Sequence, residues 1–395
     1  MGGISLGVVN KIENPKKPEC HEMTLNRQES LIRKKITIQP AVLTLVLLGL
    51  MVAVVILATG GNPLELARIG TYYDQQDANG TQGYDGQFIY YITMNLDPET
   101  VSEKLDVPAY RYQRILMPIL GRLLSFGQDE IIPWALPCIN IIFQAVGTWI
   151  VAELLTIWGI SRWYSLIYGL WVGFTLAIRL DLPEPIAYAC VAGAILAEYR
   201  NKNLLSWLLY GLALFAKEVT ILFVVASLMS ASLQNRKRDV LGLLVVSVIP
   251  FTIFQGWLWF IFGEPGIGSG GSMATPFEII PFMGFMRIIL SSLGYGLAML
   301  VVFGPAVLFP AVWGIWSSVK KWFNTETNIL VFALLFNALG IIFLPFSTFR
   351  EPGGLLRFAC GLVLSVLLFA AHYGISRALK YSWFWLLLNL FLIKD

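Results

Sequence analysis

The sequence predicts an all-α membrane protein, a polytopic helical bundle with about eleven spans, and three observations carry that reading. Of 395 residues, 56% are hydrophobic, and the mean hydropathy is +0.68. A soluble fold of this composition would have to build its water-facing surface from Leu, Ile and Phe. The apolar residues also gather in runs long enough to cross a hydrocarbon core of about 30 Å. Finally, the short basic clusters between the runs all fall on one side when the runs alternate across the membrane, as the positive-inside rule requires.

In chain order, Met1 to Lys35 is polar and basic, with Lys11, Lys16, Lys17, Arg27, Arg33, Lys34 and Lys35. This tail, residues 1–35, is expected to be disordered and cytoplasmic. Residues 36–395 are expected to form one transmembrane domain. Ile36 to Thr59 is its first span, which places the long polar stretch 60–130 outside. Further spans are expected near Ile131–Trp158, Tyr164–Ile178, Pro185–Ala197, Leu204–Ala216, Val219–Leu233, Val240–Phe262, Ile288–Trp316, Ile329–Phe346, Leu355–Ala371 and Tyr381–Ile393. The inner connections then hold Arg162, Arg200 with Lys202, Arg236 to Arg238, Lys320 with Lys321, and Arg377 with Lys380. Leu204 to Leu233 is read as two helices with Lys217-Glu218 at the outer turn, because one helix would flip every later loop. Lys394-Asp395 then falls outside. Within the first outer loop, Tyr110 to Phe126, which contains Pro118 and Arg122, reads as an amphipathic helix in the interface, and Glu278 to Leu290 reads likewise.

Composition also excludes several function classes. Cys138, Cys190 and Cys360 lie in apolar runs and Cys20 in the tail, so there is no disulfide framework and no Cys/His metal spacing. The two histidines, His21 and His372, make His-based catalysis a poor fit. A net charge of +3 gives no support to a nucleic-acid partner. Acid-base chemistry would have to come from carboxylates, with no cofactor expected and a divalent-metal requirement left open.

Charged residues are 13% of the chain, yet Thr71 to Arg122 holds Asp74, Asp77, Asp85 and Asp97, then Arg111 and Arg114. Asp85 stands in Tyr84-Asp85-Gly86-Gln87-Phe88, where the glycine permits close backbone approach to a ligand. The apolar-aromatic run that follows would hold Asp85 at the lipid boundary, where an idle carboxylate is costly. Asp74 and Asp77 read more simply as a solvated loop face, though either remains a candidate base. Arg111 and Arg114, three apart, can grip a phosphate together, or anchor an interfacial helix to anionic headgroups. Arg179, Asp181 and Glu184 read either as an ion pair closing a tight turn or as a second acidic site. Lys217-Glu218 and Arg350-Glu351 read as groups that pair across the bundle. All of them collect at one membrane face.

These residues resemble the GT-C class of integral-membrane glycosyltransferases. Tyr84-Asp85-Gly86-Gln87-Phe88 is similar to the aromatic-Asp-Gly-Gln-aromatic motif of bacterial GT-C-like proteins implicated in cell-surface glycopolymer formation. More distantly, it is similar to the first-loop motif of GPI mannosyltransferase II relatives. Tyr110–Pro118 (YRYQRILMP), Asp181–Pro185 (DLPEP) and Ala216–Val219 (AKEV, where relatives tend to show an Arg-Glu pair) add to the likeness. The resemblance implies inverting transfer of a sugar from a polyprenyl-phosphate carrier to a glycan or lipid acceptor, at a bacterial inner or plasma membrane. It casts Asp85 as general base, with Asp74 and Asp77 as alternatives. Arg111, Arg114, Arg350 and Arg357 would bind the donor phosphate, and Tyr84, Gln87, Asp181, Glu184, Lys217 and Glu218 the substrate. The alternative from another class is a non-catalytic membrane protein, either a transporter or a structural subunit of a larger complex.

Overall fold

The computed structural model describes the backbone of residues 20–393 and the side chains of residues 38–392. It is all-helical, 77% helix, with no strand among the described residues. Among the described residues, five helices are long and apolar enough to cross a membrane: Ile38–Ala58, Asp129–Ile157, Lys237–Phe262, Leu293–Phe323 and Pro352–His372. Shorter apolar helices at Asn203–Ala216, Glu218–Leu233 and Ile329–Ile342 pack among them.

Burial sorts these helices into a centre and a rim. The stretch Cys360–His372 is inaccessible along almost its whole length. It packs against Ile329–Ile342, Phe309–Phe323 and Ile132–Ile157. Ile38–Ala58 and Lys237–Phe262 instead present most of their apolar surface outward, as lipid-facing helices do. The helix Glu184–Tyr199 runs about 24 Å at 1.5 Å per residue. Its start defines one end of the bundle, the loop face, where residues 60–130 pack. Its finish, with Glu198, defines the opposite face.

Several sequence expectations change. The expectation of a disordered tail meets two outcomes: residues 1–19 lie outside the described residues, while from Cys20 the backbone is already helical and continuous to Ala58. An unbroken helix propagates into the polar segment because each added residue gains a backbone hydrogen bond once the apolar part is formed. The expected span Tyr164–Ile178 is two short helices, Ser165–Gly169 and Val172–Arg179. The break between them is fixed by the Trp171 indole, which donates to the Leu356 carbonyl at 3.0 Å. Leu204–Leu233 is divided at an extended Lys217 into Asn203–Ala216 and Ile221–Leu233. The run from Ile288 begins in a separate helix, Met283–Ser291, and Tyr381–Ile393 is shared between Ser376–Ser382 and a 3-10 stretch, Trp383–Ile393. Lys394-Asp395 lies outside the described residues. The amphipathic stretch of the first loop forms Pro108–Tyr112 and Leu116–Leu124, the second exposing Ile119, Leu123 and Leu124.

Candidate functional site

Asp85 sits immediately before the helix Gly86–Met94. A Cβ on Gly86 would run into the carbonyl oxygen of Leu180, so glycine is what lets this helix start against the turn after Val172–Arg179. The loop ahead of Asp85 is clipped by Gln87, whose Oε1 accepts from the Gly70 N–H at 3.1 Å while Nε2 donates to the Gln82 carbonyl at 2.7 Å. Gln87 is therefore buried and engaged by backbone at both its oxygen and its nitrogen, so it shapes the loop ahead of Asp85.

Around Asp85 the loop face closes into one charged network. Asp85 meets Arg111 Nη1 at 3.0 Å and Arg357 Nη1 at 3.4 Å. Arg111 directs Nε and Nη2 to Asp106 at 2.7 and 2.9 Å, and Asp106 accepts in turn from the N–H of Ser272 at 3.1 Å. Arg357 also faces Glu184 at 3.5 Å and the Tyr84 hydroxyl at 3.0 Å, with Glu351 at 3.7 Å. The Tyr84 hydroxyl donates to Glu351. Lys217 Nζ lies 2.5 Å from Glu184. Arg114 holds Glu218 through two donors at 2.6 and 2.9 Å and reaches the Tyr110 hydroxyl at 2.6 Å.

These contacts come from distant parts of the chain. Pro108 starts the helix that carries Arg111, since its fixed φ and missing N–H suit a first turn. Pro352 similarly forces Glu351 into extended backbone at φ −105°, ψ 100° and starts the helix that carries Arg357. The side chains of Arg111, Lys217 and Arg357 are 8% exposed and that of Glu184 is fully buried, whereas Asp85 is 27% exposed. Asp85 is thus a part-open carboxylate standing on buried cations. Arg111 and Arg114 are too deep to serve as headgroup anchors, so that reading of the pair does not hold.

Electrostatics follow from this placement. Burial works to raise the Asp85 carboxyl, but Arg111, then Arg357, Arg114 and Lys217, outweigh it and hold it at about 2. Asp106 is likewise lowered: burial opposes, and the hydrogen bond and charge of Arg111 prevail. Burial raises the Tyr84 phenol well above its ordinary range, so it stays protonated and donates.

Other candidates are placed elsewhere. Asp74 faces Lys104 at 3.5 Å in an exposed pair, and Asp77 accepts from the Asn79 N–H at 3.0 Å within its own turn. Arg350 is exposed, with its guanidinium 5.9 Å from the Phe346 ring, and does not enter the network. The expected ion pair within Arg179-Asp181-Glu184 does not form. Arg179 donates to the Leu392 carbonyl at 3.3 Å, Glu184 turns to Lys217 and Arg357, and Asp181 is buried with neither oxygen partnered. Burial raises the Asp181 carboxyl far above its usual value, since no cation or donor offsets the loss of water.

Sequence reasoning missed Asp106 and Tyr110 as members of the site, whereas Glu351, read as a group that pairs across the bundle, does so with Tyr84 and Arg357. For Asp106 a signal existed: an acid just before a Pro-started helix, with an arginine one turn in, is placed to pair across the helix start. What the assembled groups can do chemically is accept a proton at Asp85 and offer Arg111 and Arg357 to an anion that approaches the same carboxylate. No protein-family model, curated protein or solved structure matches the chain.

Proposed function

We propose that this protein is a membrane glycosyltransferase of the GT-C type, moving a sugar from a polyprenyl-phosphate carrier to a glycan or lipid acceptor. The observation that carries the reading is Asp85, an ionised, part-open carboxylate held between two buried guanidiniums at one end of an apolar helical bundle. In the proposed step the acceptor hydroxyl gives its proton to Asp85 as its oxygen bonds to the anomeric carbon. The bond from that carbon to the carrier phosphate breaks, and its electron pair leaves with the phosphate. Arg357 and Arg111 receive the growing negative charge. Arg357 is the better placed of the two, because its contacts to carboxylates, at 3.4 to 3.7 Å, are loose and its Nε is buried without a partner. Arg114 and Lys217, bound tightly to Glu218 and Glu184, hold the frame.

The reading takes the loop face as external, the N-terminus as cytoplasmic, and a bacterial plasma membrane as the setting. It also takes as crossing the bilayer the three shorter apolar helices, the pair Ser165–Gly169 and Val172–Arg179, the helix Glu184–Tyr199 and the stretch Trp383–Ile393, which with the five long helices gives about eleven spans. Purified protein in lipid, offered a panel of radiolabelled polyprenyl-phosphate sugars with native membranes as acceptor source, tests it. Asp85→Asn should lower transfer by about 10²- to 10⁴-fold, the usual worth of general-base help. Transfer that survives the substitution would keep the enzyme and remove Asp85 as base.

A second reading has its own observation, namely that every cation in the network already has a carboxylate. A structural subunit would need no more than that. It predicts no transfer from any donor in the panel.

A further inference from the structure

Next to the charged network the loop face carries a recess of about 320 Å³, lined by Asn62, Leu64, Glu65, Arg68, Ile69 and Tyr84. That volume lies at the lower end of the range for small-molecule sites, about 300 to 1,000 Å³. A cavity at the opposite face, between Glu198 and Arg236, holds about 10 Å³, room for one water.

The recess is built by strained backbone. Arg68 lies in the left-handed region at φ 52° and Gly83 at φ 69°, a conformation that carries a cost for a residue with a side chain. The Arg68 carbonyl accepts from the Tyr84 N–H at 2.9 Å, and a Cβ on Gly83 would press on that carbonyl. The Gln87 clip holds the same loop from behind. Glu65 and Arg68 both line the recess, both are exposed, and neither is engaged by the ion pairs of the network.

We infer that this recess is the acceptor subsite and takes a hydroxyl-rich carbohydrate ligand. A carboxylate and a guanidinium each present two polar atoms in a plane, which matches two neighbouring hydroxyls of a sugar ring. Leu64, Ile69 and the Tyr84 ring supply the apolar surface that a pyranose face needs. Tyr84 is the shared wall, since it lines the recess while its hydroxyl joins Arg357 and Glu351. Asp85 follows it directly, so a hydroxyl projecting past Tyr84 approaches the part-open carboxylate. The inference rests on the glycosyl-transfer reading for the word acceptor, but carbohydrate binding is measurable without turnover.

The test uses the full chain in nanodiscs with free hexoses and neutral hexose disaccharides as probes, followed by saturation-transfer NMR. Wild type should bind at least one probe. Arg68→Ala, which removes a donor, should weaken it by roughly tenfold to a hundredfold, the worth of a charged hydrogen bond, and Leu64→Trp, which fills the space, should also weaken it, while Arg200→Ala at the opposite face still binds. Arg68→Gly removes the same side chain and eases the left-handed backbone, so it serves if the alanine variant misfolds. In the transfer assay the recess variants should raise acceptor KM and leave donor KM unchanged. Binding without transfer from any donor would end the glycosyl-transfer reading and keep the carbohydrate site. Asp85-dependent transfer that the recess variants do not alter, or a wild type that binds none of the probes, would overturn the subsite.

Discussion

The two ends of the bundle hold ion pairs of nearly equal length and quite different character. At the opposite face Arg200 lies 2.6 Å from Glu153, and Arg236 lies 2.8 and 2.9 Å from Glu198 and Asp239. At the loop face Lys217–Glu184 is 2.5 Å and Arg114–Glu218 2.6 Å. Distance does not separate them. Exposure does, since Arg200 and Arg236 are 44% and 31% exposed and Arg114 and Arg357 are 5% and 8%. Burying a cation carries a desolvation cost that its partner only partly offsets, so a buried network is weak grounds for stability. Surface pairs carry little cost and contribute little. The loop-face network is thus the one whose retention calls for a function.

Removing one carboxylate from each end should give the largest contrast. Glu184→Ala leaves Lys217 and Arg357 buried beside a missing charge, and its unfolding free energy should fall by about 3 to 5 kcal/mol. Glu153→Ala leaves Arg200, whose side chain is 44% exposed, free to hydrate, and the loss should be smaller than at Glu184. Thermal or denaturant unfolding in detergent measures both. Equal losses would mean that the two ends are built alike and would remove the argument for a site.

Acid sharpens the comparison. Asp85 has its carboxyl at about 2 in the fold, against about 4 in an unfolded chain. The unfolded state therefore binds that proton more tightly, and the stabilisation is full above the unfolded value and lost as pH falls from about 4 to about 2. Arg111, Arg357, Arg114 and Lys217, which face it, stay cationic throughout that window, and Asp106 shifts in the same direction. The contribution is roughly 2 kcal/mol. Asp85→Asn should start lower at neutral pH, where two arginines lose a partner, and lose less on acidification than wild type. Parallel acid profiles would show that Asp85 is not held by these cations. Because Asp85 stays ionised above about 2, the acid limb of a transfer profile between about pH 5 and 7 should not come from it.

Much of this contrast was legible in the sequence, because hydropathy and charge sign are additive along a chain. The all-helical bundle, the division of 204–233 at Lys217, and the gathering of Asp85, Arg111, Arg114, Glu184, Lys217 and Glu218 could be read from the residues, and Arg357 came in only through the resemblance. What the sequence hid was pairing and depth. Lys217-Glu218 reads as one dipeptide, yet its two side chains serve different partners, Glu184 and Arg114. Arg350 and Arg357 look equivalent in sequence, but Pro352 starts a new helix between them, and the second is turned inward while the first stays exposed. Nor was one-sided charge itself diagnostic, since ion pairs form at both faces. The missed residue Asp106 differs, because its partner Arg111 lies five residues on and only the added contact from the Ser272 N–H is remote in sequence.

The smallest effect bears on which aspartate matters. Asp74 and Asp77 share the loop with Asp85 and are its equals by composition. Asp74 faces Lys104 in a pair whose side chains are 38% and 47% exposed, and Asp77 closes its own turn. Water replaces such contacts at little cost, so Asp74→Asn and Asp77→Asn should each stay within about 0.5 kcal/mol of wild type in unfolding. Transfer should likewise stay within about twofold, because Asp74 contacts Lys104 and Tyr91 and Asp77 contacts the Asn79 N–H, and neither pairs with a group of the network around Asp85. The pair of assays separates chemistry from folding: a loss of transfer at Asp74→Asn with an unchanged midpoint would move the base to Asp74. That outcome would also detach catalysis from the buried cations, since no arginine of the network touches Asp74, and the loop-face network would then be left with a purely structural part.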